Sequence, residues 1–465
     1  MAHHWVVHLL FTSMVFLTGC GTLATVKDVT NKPADNKPAD STSPKANLKA
    51  SFNIEPDRGS HQKTLVFLAL SGGGSRAAYW SGSVMLALEK VYQDDNLNLL
   101  KEVDLISSVS GGSLPAAYYA ISQDAGSNVK MRSNRNWDEH SVKKLMSKSY
   151  IWRWFGNWLW PDNILYYWFT AYDRSDIMAS TLADNLYDTP IGINLNMSDI
   201  NPERPNLILN ATNATNGPVA LNTSDGSSRR FGEAFTFTAE DFKGICSDIG
   251  SYDLSRAVMA TASFPAVFNY MTLGDYSENG QCSTDKKLKR YVHVFDGGNC
   301  DNLGLGSVER AITENISDYK DKRIVVILVD AYTPSRGIDS ASPDARQFLD
   351  YAIDFNFLDS TDSLLGSVRG KAITVMREAL QKFDSSKVIF YRIDFDAVKE
   401  ANHVLYSELT NIETNFKIND EAKQSIDRAI EMLIVKDNTC LRKIKDIVLL
   451  GQSDNPSIEC QWSPE

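Results

Sequence analysis

The chain has 465 residues, 43% apolar and 23% charged, with a formal net charge of −11. That is globular composition, which excludes collagen, coiled coil and wholesale disorder. An acidic balance without a basic tract argues against nucleic acid as a partner. In chain order, Leu9 to Leu17 is an apolar stretch too short to span a bilayer and of the length of a signal core, so residues 1–19 are expected to be a signal peptide. Leu17-Thr18-Gly19-Cys20 ends it. Residues 20–50 carry Asn31-Lys32-Pro33-Ala34-Asp35 repeated at once as Asn36-Lys37-Pro38-Ala39-Asp40, with almost nothing apolar to bury. A flexible tether is expected there, followed by one folded domain over 51–465 with order starting near Lys63.

Thr64 to Leu70 is a continuous apolar run of strand length, suited to a strand buried on both faces. Ser71-Gly72-Gly73-Gly74 ends it, and Ser75 to Lys90 has helical apolar spacing. Val103 to Val109 reads as a second strand, Ser110-Gly111-Gly112-Ser113 as a turn, and Leu114 to Ile121 as a helix. Strand, glycine turn and helix, repeated, predict an α/β fold with a mainly parallel central sheet and sites at strand C-termini. Further strands are expected at Asn206 to Ala211, Tyr291 to Phe295, Arg323 to Asp330 and Val388 to Ile393, with a helical extension over about 340–465. A helical insertion is expected over about 130–200. Six of the nine Trp lie between Trp137 and Trp168, and eight of the eleven residues Tyr150 to Trp160 are aromatic or aliphatic. That segment is either a helical subdomain packed on the sheet or a lipid-facing entrance, with Trp154 and Trp158 as its test positions.

Past Cys20 there are five cysteines, none at CxxC spacing. Cys440 with Cys460, and Cys246 with Cys282, each flank a polar stretch. Those pairings are expected in an oxidising compartment, each contributing about 3–4 kcal/mol by loop closure. Reduced thiols are the alternative. Cys300 is left odd.

Ser110 lies in Ser108-Val109-Ser110-Gly111-Gly112, between a buried strand and a helix. That is the setting of a nucleophile elbow, with Ser108 in place of the first glycine of G-x-S-x-G. The general base is the next question. Beyond the signal there are four histidines, His61, His140, His293 and His403, none in a glycine-rich catalytic turn. His293 and Asp296, in Val292-His293-Val294-Phe295-Asp296-Gly297-Gly298, fall on opposite faces of one strand. Asp296, at a strand end before two glycines, is the better candidate base, the alternative being a turn-capping Asp. Gly72, Gly73 and Gly74 offer successive amides at a helix N-terminus for an oxyanion, with the charge of Arg76 nearby. No HExxH, zinc-type cysteine cluster or EF-hand loop is present, so no metal or cofactor is expected.

The ordered trio Gly72-Gly73-Gly74-Ser75-Arg76, the Ser110 elbow and Asp296-Gly297-Gly298 resembles the patatin-like phospholipase family, over roughly residues 63–335. Ser263-Phe264-Pro265 and Asp301-Asn302-Leu303-Gly304-Leu305 extend the likeness. The resemblance implies a three-layer fold similar to the catalytic domain of cytosolic phospholipase A2, with Ser110 as nucleophile and Asp296 as base without histidine. It also implies a glycine-amide oxyanion hole supported by Arg76, and a phospholipid or other acyl ester as substrate. Leu17-Thr18-Gly19-Cys20 resembles the bacterial lipobox, implying a lipidated Cys20 that holds the chain to the membrane of the cell envelope. Gly21, where Asp favours inner-membrane retention, points to the outer membrane. The rival expectation is a catalytically idle lipoprotein that binds acyl chains or a protein partner.

Overall fold

Thr64–Leu70 is buried at all seven positions, as a strand with parallel neighbours on both sides requires. The computed structural model describes residues 36–39, 48–54, 61, 63–124, 126–127, 130–170, 172–215, 231–265, 267–278, 281–282, 290–333, 356–414, 417–453 and 457–462, and sets this strand, β1, in the middle of a large sheet. The other strands are β2 (Val103–Ser108), β3 (Asn206–Asn213), β4 (Ala234–Thr236), β5 (Met271–Asp275), β6 (Arg290–Asp296), β7 (Arg323–Val329), β8 (Val388–Ile393) and β9 (Glu459–Cys460). Among the described residues their order is β9-β8-β7-β1-β2-β3-β6-β5, with β4 also paired to β3. Pairing is parallel from β9 to β3. β6 then runs antiparallel to β3, and β5 antiparallel to β6.

Side chains of a strand alternate faces, and β1 divides accordingly. Val66, Leu68 and Leu70 enter one core with Ala77, Trp80 and Ala117, from helices α1 (Gly74–Lys90) and α2 (Ser113–Ile121). Four helices follow within the expected insertion: α3 (Glu139–Met146), α4 (Tyr150–Trp158), α5 (Pro161–Phe169) and α6 (Arg174–Leu186). Helix α7 (Leu254–Thr261) joins the same core. Leu65, Phe67 and Ala69 point the other way, onto Leu305 and Val308 of α8 (Leu305–Glu314) and Ile373 and Met376 of α9 (Asn356–Leu380). The fold is therefore α/β with helices on both faces of one sheet.

Three features differ from expectation. In the C-terminal region β8 falls where a strand was expected, at Val388 to Ile393, and the unforeseen β9 extends the sheet beyond β8, whose edge would otherwise be unpaired. The region expected as tether is partly docked. Lys37 and Pro38 pair with Asp248 and Ser247, and the buried Asn36 side chain donates to Ser247 Oγ and Gly274 O while accepting from Gly274 N–H. An amide side chain can bind an edge strand without any apolar burial, which a hydrophobicity pattern does not register. Ala50, Phe52 and Ile54 are buried, so the folded part begins ahead of Lys63. Lastly, β5 was not foreseen. Met271-Thr272-Leu273-Gly274-Asp275 carries a glycine and an aspartate, both poor strand formers, and it is held by β6 and Asn36.

Both expected disulfides are present, Cys246–Cys282 and Cys440–Cys460, and Cys300 is a free thiol. The second ties a C-terminal helix, Thr439–Leu449, to β9.

Candidate active site

β2 ends at Ser108, and the chain turns through Ser110–Gly112 directly into α2. Ser110 adopts φ +48°, a left-handed conformation that costs a non-glycine residue roughly 1–3 kcal/mol. Close backbone packing holds it there. A Cβ on Gly111 would lie 2.0 Å from Gly74 O, and one on Gly112 would lie 2.6 Å from Ser71 O. The elbow and the first glycine loop thus touch main chain to main chain. The Ser110 N–H donates to Thr261 Oγ1 at 2.8 Å, so the end of α7 fixes the turn from the other side. Ser108 is fully buried, and its hydroxyl accepts from Ser113 Oγ at 3.1 Å, so serine fits where the elbow motif has glycine.

Asp296 reaches the elbow because β3 is longer than β2. Leu105 to Ser108 pair with Asn206 to Leu209, and β3 runs on to Asn213. β6 descends antiparallel along that overhang and ends with Asp296 opposite Ala211, two residues from the partner of Ser108. The Ser110 hydroxyl donates to Asp296 Oδ2 at 2.9 Å, and the Gly298 N–H donates to Oδ1 at 2.8 Å. Main-chain bonds from Asp296 N–H to Ser263 O and from Gly297 N–H to Thr261 O lock the strand end. Burial pushes the Asp296 carboxyl up to about 6, against the two donors, which pull it down.

The glycine triplet divides. Gly72 N–H donates to Asn302 O at 2.9 Å, so this amide, expected in the oxyanion hole, is already committed. Gly72 matters instead by its missing side chain, since a Cβ would sit 2.2 Å from Asn302 Oδ1 and 3.3 Å from Ser110 Cβ. Gly73 (φ +137°) and Gly74 (φ +59°) are partly exposed at the head of the 17-residue α1, and Gly73 has no side-chain cap bond. No protein acceptor is recorded for either N–H among the described residues. The positive end of the helix dipole lies here. Arg76 lies beneath the same loop. Its guanidinium is buried and bonds to Ala331 O through Nε at 2.8 Å and to Ile412 O through Nη1. It straps α1 to the end of β7 and to a C-terminal segment, supporting the loop from beneath. The Nη2 atom would lie 3.4 Å from a Cβ on Gly73.

Asp301 and Asn302 hold the turn after Asp296. Asp301 accepts from Leu303 N–H and Gly306 N–H at the start of α8. His293 lies on the strand face opposite Asp296, with Nδ1 3.0 Å from Thr272 Oγ1 and its ring 4.7 Å from that of Tyr270. His61 faces Glu102, and His403 lies against Tyr406. The Cys300 thiol is pushed up to about 12 by burial, which suppresses the thiolate. Trp154, a test position for the lipid-facing entrance, is buried, which at this position fits the alternative of a packed helical subdomain. Its Nε1–H donates to Arg174 O, and its ring meets Trp158 at 5.4 Å and Phe268 at 5.7 Å. An open cleft of about 550 Å³ bordered by Tyr79, Glu139, His140 and Lys143 includes neither Ser110 nor Asp296.

Thr261, Ser263, Asn302 and Asn210 were not foreseen as site residues. Asn210, from the interior of β3, donates to Ser107 Oγ and Ser108 O beneath the elbow and accepts from Ser307 Oγ. A polar residue inside an apolar strand is the only local signal it gives.

A family model described as Patatin-like phospholipase matches residues 68–308, which take in all of these glycine turns, Ser110 and Asp296. Solved structures similar to the chain include human GIVD cytosolic phospholipase A2, at 12% identity, 71% of this chain, 62% of that chain and a TM-score of 0.33. VipD from Legionella pneumophila is similar at 14% identity, 64% of this chain, 56% of that chain and a TM-score of 0.24. The chain thus covers less than two thirds of either protein's length. No curated protein matches the chain.

Proposed function

The chain belongs to the patatin-like phospholipase family, and from that premise we propose that it is a serine lipid acyl hydrolase of the phospholipase A or lysophospholipase type. The Ser110 Oγ attacks the ester carbonyl carbon as its proton passes to Asp296 Oδ2. The carbonyl oxygen, now negative, is met by the amides of Gly73 and Gly74 at the positive end of α1. Collapse of the tetrahedral intermediate expels the alcohol, which takes the proton back from Asp296, and leaves acyl-Ser110. Water then loses a proton to Asp296 and attacks the acyl carbon, releasing the fatty acid and restoring the Ser110 hydroxyl. The observation that carries the reading is the 2.9 Å bond from a serine at φ +48° to a buried carboxylate. A strained serine with a base in contact is costly to keep for structure alone.

A fluorophosphonate probe should label the wild-type chain and fail on Ser110→Ala. Labelling that persists in Ser110→Ala, or is absent from a folded wild type that also spares every lipid ester offered, would leave an idle lipoprotein that binds acyl chains or a partner.

The same reading includes attachment to a bacterial envelope membrane, the outer more than the inner, through lipid on Cys20. That residue lies outside the described residues, and its support is Leu17-Thr18-Gly19-Cys20 with Gly21 after it.

A further inference from the structure

α4 is apolar on more than one side. Tyr150 and Trp154 face inward and are buried, while Trp152 and Phe155 point outward and are exposed. α5 continues the outer surface with Leu165, Tyr166 and Phe169, and Trp160 lies in the link between the helices. Trp152 is 69% and Trp160 63% exposed, against 8% for Trp154. Half-exposed side chains of this size leave on the order of 100 Å² each. These six therefore present roughly 600 Å², at the upper end of what a soluble monomer shows in one patch. A helix with a buried apolar face and a second, exposed one has a second apolar medium to meet.

The identity of that medium follows from the rim. Lys144, Lys148 and Arg153 border the hairpin, and none has an acidic partner among the described residues. They lie close enough that Arg153, Lys144 and Arg135, after burial itself, push the Lys148 ammonium below its ordinary value. In a chain of net charge −11 a cluster of uncompensated cations is a local exception. Tryptophan and tyrosine are the side chains that favour the headgroup boundary of a bilayer. No helix among the described residues is long and apolar enough to cross a membrane, so the hairpin would lie on one.

Its base is tied to the dyad by a short path. Trp154 packs on Phe268, and Ser175 Oγ and Arg174 Nε of α6 bond to Asn269. Eight residues earlier Thr261 holds the Ser110 amide, and Ser263 O holds that of Asp296. The start of the described chain lies on the same strand region. Asn36 bonds to Gly274, four residues beyond Tyr270, or about 13 Å along β5 at ~3.3 Å per residue.

We propose that the α4–α5 hairpin is an interfacial docking surface that seats the molecule on a bilayer containing anionic phospholipid, with the outer aromatic side chains at headgroup depth and Lys144, Lys148 and Arg153 on the lipid charge. This deepens the lipid-hydrolase reading by naming the surface at which that site meets its substrate.

The test uses the full chain bearing Cys20→Ala and Ser110→Ala, so that neither an anchor nor hydrolysis contributes. Sedimentation is followed with vesicles of phosphatidylcholine alone and of equal phosphatidylcholine and phosphatidylglycerol. Binding to the mixed vesicles is expected, with quenching of tryptophan emission by lipids brominated near the headgroup. Adding Trp152→Ser, Trp160→Ser and Phe169→Ser, all at exposed positions, should weaken binding at least tenfold with an unchanged melting temperature. Reversing Lys144, Lys148 and Arg153 to Glu should remove the preference for phosphatidylglycerol, at roughly fivefold per cation. A folded parent chain that fails to bind, or a triple serine variant that binds as well as its parent, overturns the proposal. Self-association that the same triple variant abolishes, without vesicle binding, overturns it in favour of a face between two copies. Fluorophosphonate labelling of Cys20→Ala alone, with Ser110 intact, is read separately. Failure of docking therefore leaves the chemistry standing, and failure of the chemistry leaves docking standing.

Discussion

Burial holds the Asp296 carboxyl at a pKa of about 6, roughly two units above the ~3.9 of an unfolded chain. Between those two values the folded chain binds more protons than the unfolded one, so this group's contribution to stability falls as pH rises from about 4 to about 6. Above pH 6 the folded state carries the whole penalty, on the order of 3 kcal/mol. Asp296→Asn keeps the size and removes the charge. It should raise the melting temperature at pH 8 and leave it nearly unchanged near pH 4. As Asp296 is the proposed base, the same variant should lose ~10²–10⁴-fold in ester hydrolysis. In the wild type, kcat/KM should rise with pH through an apparent pKa near 6 and then level off. A variant that is both active and destabilised at pH 8 would make Asp296 a turn residue and nothing more. The pairing was legible because a lone carboxylate before Gly297-Gly298 had no histidine to serve. The fate of the Gly72 amide and of Arg76 was not, since the carbonyls they bind belong to residues far along the chain.

At the scale of elements, the elbow and the first glycine loop form one unit because Gly111 and Gly112 let them touch. Gly111→Ala places a methyl 2.0 Å from a main-chain oxygen, with no flexible side chain to give way. It should lower stability by about 1–3 kcal/mol through overpacking, and it should abolish fluorophosphonate labelling. Gly156→Ala is the control. Gly156 lies within α4 with nothing within 4 Å of its added methyl, so the change should add up to ~1 kcal/mol from helix propensity alone. Equal losses in both variants, read by thermal melting and labelling, would deny the elbow any special packing. β1 and β2 were readable because an apolar run bounded by glycine is a local signal. The direction of β6 went unread, although its alternation of buried and half-exposed positions, unlike the continuous run of β1, is the pattern an antiparallel strand shows.

For the whole molecule, the docked Asn36 sets an upper bound on how far Cys20 can lie from the sheet. From Cys20 to Asn36 is 16 steps, a reach of at most about 55 Å when fully extended. Metabolic labelling with a palmitate analogue should mark the wild type and not Cys20→Ala. Cys20→Ala should remain with membranes only at low salt, since exposed cations are screened beyond about 10 Å at 0.1 M. Equal labelling of both, or release of the wild type by salt, would remove the lipid anchor. The two disulfides close loops of 36 and 20 residues, for about 3–4 kcal/mol each. Their pairings were legible because each flanked a polar stretch.

What the sequence determined by itself was whatever a short window encodes: the central strands, the glycine turns that follow them, the serine at one turn and the aspartate at another. Histidine count and strand periodicity argued against a histidine triad, and the resemblance of the glycine turns to a known family is what pointed to the aspartate as partner. The tertiary structure alone decided how these windows meet. Ser110 and Asp296 are 186 residues apart, and they touch because β3 outruns β2 and gives β6 an overhang to descend. The inner and outer tryptophans of α4, the docked Asn36 and β9 at the C-terminal edge belong to the same class. Each depends on which distant surface is present to cover it, and hydrophobic pattern carries no record of that.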